Sequence, residues 1–223
     1  MSPTVHASPS PEYARATQPL NTVTAQEPAL VAVPHSAAEV SDLVRLAADR
    51  GLRVVPQATG HGAGAAVGAD TMLLDTSALR SVIVDPAART ATVGSGATWS
   101  DVNLAAQKHG LLGLAGTAPT VSVSGYTFSG GIGWMARRDG LASGSLRRVG
   151  FVDGSGRPRV ASDESLESVD RDALWSFRGA GGVGVATELE LDLFPTPELH
   201  AGTLLWHVHS LDAVVDAWAD SLR

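Results

Sequence analysis

The sequence predicts an α+β fold in two unequal parts: a small β-α-β unit with parallel pairing, then a larger antiparallel sheet flanked by helices. Three features carry that expectation. A strand, an amphipathic helix and a second strand follow one another between residues 29 and 57. Short strand-like runs separated by turn signals recur from residue 72 to residue 161. Residues 188–193 alternate strictly, with Leu189, Leu191 and Leu193 opposite Glu188, Glu190 and Asp192, the period of a half-buried strand.

The elements follow in order. Residues 1–24 form a polar, Pro- and Ser-containing lead-in that is expected to be irregular. An apolar strand at 29–33 ends at Pro34. Ser36 and Glu39 have capping-box spacing, so a helix begins there, with Val40, Leu43, Val44 and Ala47 on one face and Gly51 at its close. Arg53 to Gln57 is the next strand, and the β-α-β order implies a parallel pair. Strands are expected at 72–75, 81–85 and 90–93, the last two joined by a turn at Asp85-Pro86. Thr98 and Asp101 resemble a second capping box, opening a helix that stops at Gly110. Residues 147–153 and 159–161 form a hairpin around Gly154 and Gly156. A short helix at 172–177 precedes a glycine run and the alternating strand at 183–194. Beyond Pro195 and Pro197, a strand at 203–209 and an amphipathic helix carrying Leu211, Val214, Val215 and Trp218 look like the start of a further domain, over residues 198–223.

Composition narrows the function classes. An apolar content of 44% supports a core, and 17% charged residues is too few for a disordered chain. A net charge of -7 argues against general nucleic-acid binding, which needs clustered Lys and Arg. Without cysteine there are no disulfides, thiolate metal sites or Cys-linked cofactors. The lead-in lacks the basic start and apolar run of a secretory signal, and no run of eighteen apolar residues occurs, so a soluble cytoplasmic protein without membrane contact is expected. His207 and His209 share a strand face without a third ligand, so no metal site is expected.

Glycine clusters mark the candidate site. Gly179, Gly181 and Gly184 match the dinucleotide pattern G-x-G-x-x-G, but the run follows a helix and opens a strand, which disfavours a NAD(P)-binding Rossmann module. The loop of Ala58, Thr59, Gly60, His61, Gly62, Ala63 and Gly64 does follow a strand. Such a loop either cradles a diphosphate with its backbone N–H groups or is a plain strand connection. His61, between two glycines, is either a surface histidine or an imidazole free to approach a ligand as a nucleophile.

Four segments in order resemble the FAD-binding domain of the vanillyl-alcohol-oxidase and berberine-bridge-enzyme-like flavoproteins (PCMH-type): RVVPQATGHGAG, DPAARTATVGSGATWSDVNLAAQKHGL, GLAGTAPTVSVSGYTFSGGIGWMARRDGLA and ALWSFRGAGGVGVATELELDLFP. The resemblance covers residues 25–197 and implies a two-subdomain FAD-binding fold. It implies FAD as cofactor, with Gln57, Ala58, Thr59, Gly60, His61, Gly62 and Ala63 at the pyrophosphate and His61 bonded to the 8α-methyl of the flavin ring. Gly116, Thr117 and Ala118 run beside the ring, and Thr120, Val121, Ser124, Gly125, Ser129, Gly130 and Gly131 wrap the ring, ribityl chain and diphosphate. Val121 lies near the face where oxygen approaches, and Val185 contacts the adenine side.

The departures are also specific. Ala118 stands where many relatives carry a second, cysteine tether. The histidine loop opens Gln57-Ala58-Thr59-Gly60 rather than with Arg and several Gly. Ser143, Gly144 and Ser145 replace the usual Asp after GLA. The later glycine run is one residue short, without an Asn-Phe-like pair before Gly184. The expected function is FAD-dependent oxidation of an alcohol, sugar or related small molecule, with oxygen or another acceptor. Its rival is a non-catalytic FAD-binding remnant, or one piece of a split flavoenzyme completed by a partner chain or a C-terminal half. Tyr126 and Asp139 read as structural, so no catalytic base is assigned.

Overall fold

The structure, a computed structural model, describes residues 4–200 and 202–221. The lead-in is not irregular: it holds strand β1 (Val5–His6) and helix α1 (Pro11–Ala16), the latter capped by Ser10, whose Oγ accepts from the Tyr13 N–H. Strand β2 (Leu30–Ala32), helix α2 (Ala37–Asp49) and strand β3 (Arg53–Gln57) follow as expected. Ser36 caps α2 through the Glu39 N–H, while the Glu39 carboxylate accepts from His35 N–H, one residue earlier than a reciprocal box requires.

Strand β4 (Thr71–Asp75) enters between the two parallel strands of the β-α-β unit. The small sheet has the order β1-β2-β4-β3, so β2 and β3 are not neighbours; both pair in parallel with β4, Val31 and Val55 each opposite Leu73. The physical reason is burial. Residues 71–74 are buried on both faces, and the most apolar strand takes the centre of a covered parallel sheet. Ala32, Met72 and Leu74 face Val40, Leu43 and Ala47 of α2. Val31 and Leu73 face Ala16 and Tyr13 of α1.

The larger sheet is antiparallel throughout, with its strands in the spatial order 82–85, 90–94, 185–192, 146–152 and 158–162. Strands β5 (Val82–Asp85) and β6 (Thr90–Gly94) precede helix α3 (Trp99–Ala106), the two-residue strand β7 (Leu111–Leu112) and helices α4 (Val123–Phe128) and α5 (Ala136–Asp139). Strands β8 (Leu146–Val152) and β9 (Pro158–Ser162), helix α6 (Ser168–Phe177), strand β10 (Val185–Asp192), strand β11 (Phe194–Pro195) and helix α7 (Leu211–Ser221) complete the order. Central β10 sets Leu189 between Val93 and Val149. Its buried leucines share one core with Trp99, Val102, Val123, Leu174 and Phe177. Helix α4 was not expected, because Gly125, Thr127 and the β-branched Val123 are weak helix formers. Its Ser122 cap and the buried Val123 and Thr127 hold it.

The strand expected at 203–209 is absent: no neighbouring strand offers a ladder there, and the chain passes through a single 3-10 turn at Val208–Ser210 into α7. The glycine run at 179–184 leads into β10, not a helix, so no Rossmann turn forms.

The two parts meet where α2 packs on Val152 and Val185, and the segment that leads from one to the other is tied to the start of α3. Thr98 and Asp101 form the expected capping box, and Arg80 clamps the same carboxylate with bonds of 2.8 and 2.9 Å. Burial alone would raise the Asp101 carboxyl, but the bonds from Arg80 and Thr98 outweigh it and hold the group below the usual carboxylate range. A depressed folded-state value adds stability that is present above the unfolded value and lost as pH falls through the folded one. Asp101→Asn is therefore expected to cost roughly 1–2 kcal/mol at neutral pH, a difference that shrinks below about pH 4. Thermal unfolding at pH 7 and pH 3 checks this, and a pH-independent difference would contradict it.

Candidate functional site

The loop after β3 is built from residues too small to cover their own backbone. Gly60 has φ +69° and an added Cβ would press on Pro19, so the fold itself requires glycine there. Gly62 has no such need: its φ is not in the left-handed region and an added Cβ would meet nothing within 4 Å. The N–H groups of Thr59, Gly60, His61 and Gly62 have no hydrogen-bond partner among the described residues. A row of free N–H groups over open space is an anion-binding nest.

Two hydrogen bonds fasten this loop to the segment ahead of α4. Thr59 Oγ1 accepts from the Ser122 N–H at 3.3 Å, and His61 Nε2 lies 3.1 Å from Thr120 Oγ1. Behind them Ser122 and Ser124 hydroxyls are 2.9 Å apart, and Ser124 Oγ donates to the Ser95 carbonyl at 2.6 Å. Between loop and segment runs an open cleft of about 720 Å³ that continues past Ser95 to Phe128, Phe177 and residues 180–186. Its volume is that of a cofactor site.

The structure brings Gln57, Ala58, Thr59, Gly60, His61, Gly62, Ala63, Val121, Ser124, Gly125 and Ser129 together around this cleft. Gln57 lines it, yet its amide is engaged within the protein: Nε2 donates to the Ala16 carbonyl and Oε1 accepts from Gln26 Nε2. Thr120 touches His61 instead of the cleft floor. The remaining expected residues lie off the cleft. Thr117 is exposed, and the Ala118 carbonyl accepts from the Val121 N–H. Gly116 and Gly131 pack on the Tyr126 ring, where a Cβ would crowd it, and the Gly130 carbonyl accepts from the Ser143 N–H. Val185 also lies off the cleft lining. It is buried in the core against α2, because strand alternation points Gly184 and Ala186 to the cleft and Val185 to the opposite face.

Sequence reasoning missed Gln26, Ser95, Tyr126, Phe128, Phe177 and Gly181 as lining residues. The alternation of β10 could have found Ala186; nothing in the sequence marks Gln26 or Ser95. Three of these residues carry buried polar atoms without a protein partner: Gln26 Oε1, Ser95 Oγ and the Tyr126 hydroxyl. Burial raises the Tyr126 phenol above its ordinary value. Among the described residues no carboxylate lines the cleft, and its one guanidinium, Arg53 at the mouth, is held by Asp70.

An anion nest, small-residue walls, unpartnered polar atoms and no opposing carboxylate fit a long ligand bearing phosphates and hydroxyls. The family profile described as an FAD binding domain matches residues 28–162. This chain belongs to the FAD-binding-domain family of FAD-linked oxidoreductases. It is 32% identical over 203 residues to (R)-6-hydroxynicotine oxidase of Paenarthrobacter nicotinovorans, covering 89% of this chain and 43% of that protein. It is 30% identical over 185 residues to berberine bridge enzyme-like 23 of Arabidopsis thaliana, covering 78% of this chain and 34% of that one. Its fold matches the crystal structure of 6-hydroxy-D-nicotine oxidase from Arthrobacter nicotinovorans with a TM-score of 0.80 at 29% identity, over 87% of this chain and 43% of that one. Xylooligosaccharide oxidase from Myceliophthora thermophila gives 0.79 at 26%, over 86% and 41%. The chain thus spans about two-fifths of the length of the oxidases it matches.

The contrast between Gly60 and Gly62 is testable. Gly62→Ala is expected to leave apoprotein stability within about 0.5 kcal/mol of wild type while weakening FAD binding, since the methyl enters the nest. Gly60→Ala is expected to destabilise the apoprotein by at least 1 kcal/mol on the order of magnitude of a strained left-handed residue. Urea unfolding and FAD titration of both variants check this.

Proposed function

We propose that this chain holds FAD in the cleft, as the flavin-binding part of an oxidoreductase acting on an alcohol, sugar or related small molecule, and that His61 is its covalent attachment point. The observation that carries the proposal is the loop itself: free backbone N–H groups beside a histidine held by a neighbouring hydroxyl. When bound, FAD supplies the redox chemistry, taking a hydride from a substrate carbon and passing the electrons to oxygen or another acceptor. The protein's task is to bind, orient and tune. The nest of residues 59–62 takes diphosphate oxygens, and Gly62 leaves them room. Val121 and the small residues of α4 form the opposite wall.

His61 is positioned for attachment by Thr120. In the tautomer whose Nε2–H donates to the Thr120 hydroxyl oxygen, Nδ1 keeps its lone pair and is the nucleophilic nitrogen of the neutral ring. His61 would hold the flavin ring through that nitrogen, and Thr120 would keep the imidazole oriented toward it. The names of the two oxidases above support a small-molecule substrate, and a single tether follows from the absence of cysteine.

A second reading, flavin holding without turnover by this chain alone, is favoured by the cleft's lack of a carboxylate and by the buried, raised phenol of Tyr126. In either reading His61→Ala abolishes acid-stable flavin while reversible FAD binding remains. Thr120→Val is expected to slow covalent incorporation about tenfold, the effect of one lost hydrogen bond, with Thr120→Ser restoring it. In-gel flavin fluorescence after denaturation reads both; acid-stable flavin on His61→Ala would remove the assignment.

A further inference from the structure

Two faces of the chain are exposed and apolar, each bordered by charge, and the two charges are opposite. The first belongs to helix α7. Leu211, Val215 and Trp218 recur at i, i+4 and i+7 and form one stripe. None of the helix's residues is buried, and Trp218 is 63% exposed. Asp212, Asp216 and Asp220 make an acidic row on one flank of that stripe, and the last turn holds no basic residue. Asp212 and Asp216 have no ion-pair partner among the described residues. Alone, such a helix is a poor one. Its 11 residues are marginal in water, carboxylates four apart repel, and a carboxylate near the C-terminus opposes the helix dipole. Burial of the stripe beside a cation offsets these costs.

The second face is the segment 131–138. A Cβ at Gly131 would strike the Tyr126 ring and one at Gly133 the Ala115 carbonyl, so both glycines press inward and fix the segment. Ile132 and Trp134, alternating with them, are left in solvent, Trp134 at 69% exposed. The Ala136 N–H then donates to the Gly133 carbonyl and the Arg138 N–H to the Met135 carbonyl, a turn that brings Arg137 up beside Trp134. Arg137 is exposed and has no ion-pair partner among the described residues. Arg138 is held instead, by Asp139 and by the Pro195 carbonyl.

We propose that α7 of one copy docks on the 131–138 face of a second copy, in a reciprocal two-fold exchange. Leu211, Val215 and Trp218 cover Ile132 and Trp134, and the acidic row lies along Arg137. Charge selects this occupant: α7 against α7 would bring two acidic rows together, whereas the 131–138 face offers apolar surface with a cation on its flank. In the one chain both faces are exposed, so α7 is not seated on the face of its own molecule. Each copy has one such helix and one such face, and a two-fold pair uses both, so the exchange closes at two chains. The inference goes beyond flavin binding and does not depend on it.

Sedimentation equilibrium of the full chain tests it, with a dimer expected at micromolar concentration. Trp218→Ala and Trp134→Ala should each weaken dimerisation at least about thirtyfold, the loss of an anchoring aromatic. A mixture of these two variants keeps one intact helix opposite one intact face, and should dimerise more tightly than either variant alone. Arg137→Glu should weaken the dimer about tenfold, and adding Asp212→Arg and Asp216→Arg to the same chain should restore it. A wild type that stays monomeric at high micromolar concentration would overturn the proposal, whether α7 is free or folded back on its own chain. So would a dimer that responds to Trp218→Ala but not to Trp134→Ala, or a mixture without complementation.

Discussion

The histidine loop is held from two directions by hydrogen bonds that begin in different parts of the chain, and the cleft exists because of that double hold. From the small subdomain, the Ala16 carbonyl and Gln26 grip Gln57 at the loop's start. From the large subdomain, the Ser122 N–H and the Thr120 hydroxyl grip Thr59 and His61. Each bond is a modest contribution by itself, about 1 kcal/mol net. Together they convert a run of glycine and alanine, which has no side chains to pack, into a wall with a defined position.

The rest of the architecture serves that wall. The two sheets are joined where α2 meets Val152 and Val185, and where Arg80 closes on the cap of α3. This places β6, α4 and β10 opposite the loop. Glycines at Gly94, Gly96 and Gly184 permit the close backbone approach, since a Cβ at any of them would strike a carbonyl. The aromatic pair Phe128 and Phe177, 4.9 Å between centroids, also borders the cleft.

What the sequence made legible follows from how local each signal is. The capping pair Thr98 and Asp101, the helix after Ser36 and the alternation of Leu189 and Leu191 are set within a few residues, and the structure contains all three. The motif resemblance placed His61 and its neighbours beside a cleft without any contact being known. Non-local facts were out of reach. The insertion of β4 between β2 and β3 is a contest for the most buried position, decided by the whole sheet. Gln26 and Ser95 meet the cleft through partners 31 and 29 residues away. The side chain of Val185 turns to the core while Gly184 and Ala186 line the cleft, a matter of strand parity that one residue of register reverses. The expected strand at 203–209 had the right composition and no neighbour to pair with, and α1 arose in a segment whose polar composition hid a Ser-capped turn.

The central claim is that the cleft framed by the histidine loop is a flavin site. The absorbance spectrum of the purified protein, read before and after addition of FAD and gel filtration, tests it most directly. The account predicts flavin bands that co-elute with the protein at one flavin per chain. A colourless, folded protein that retains no FAD after gel filtration would contradict it.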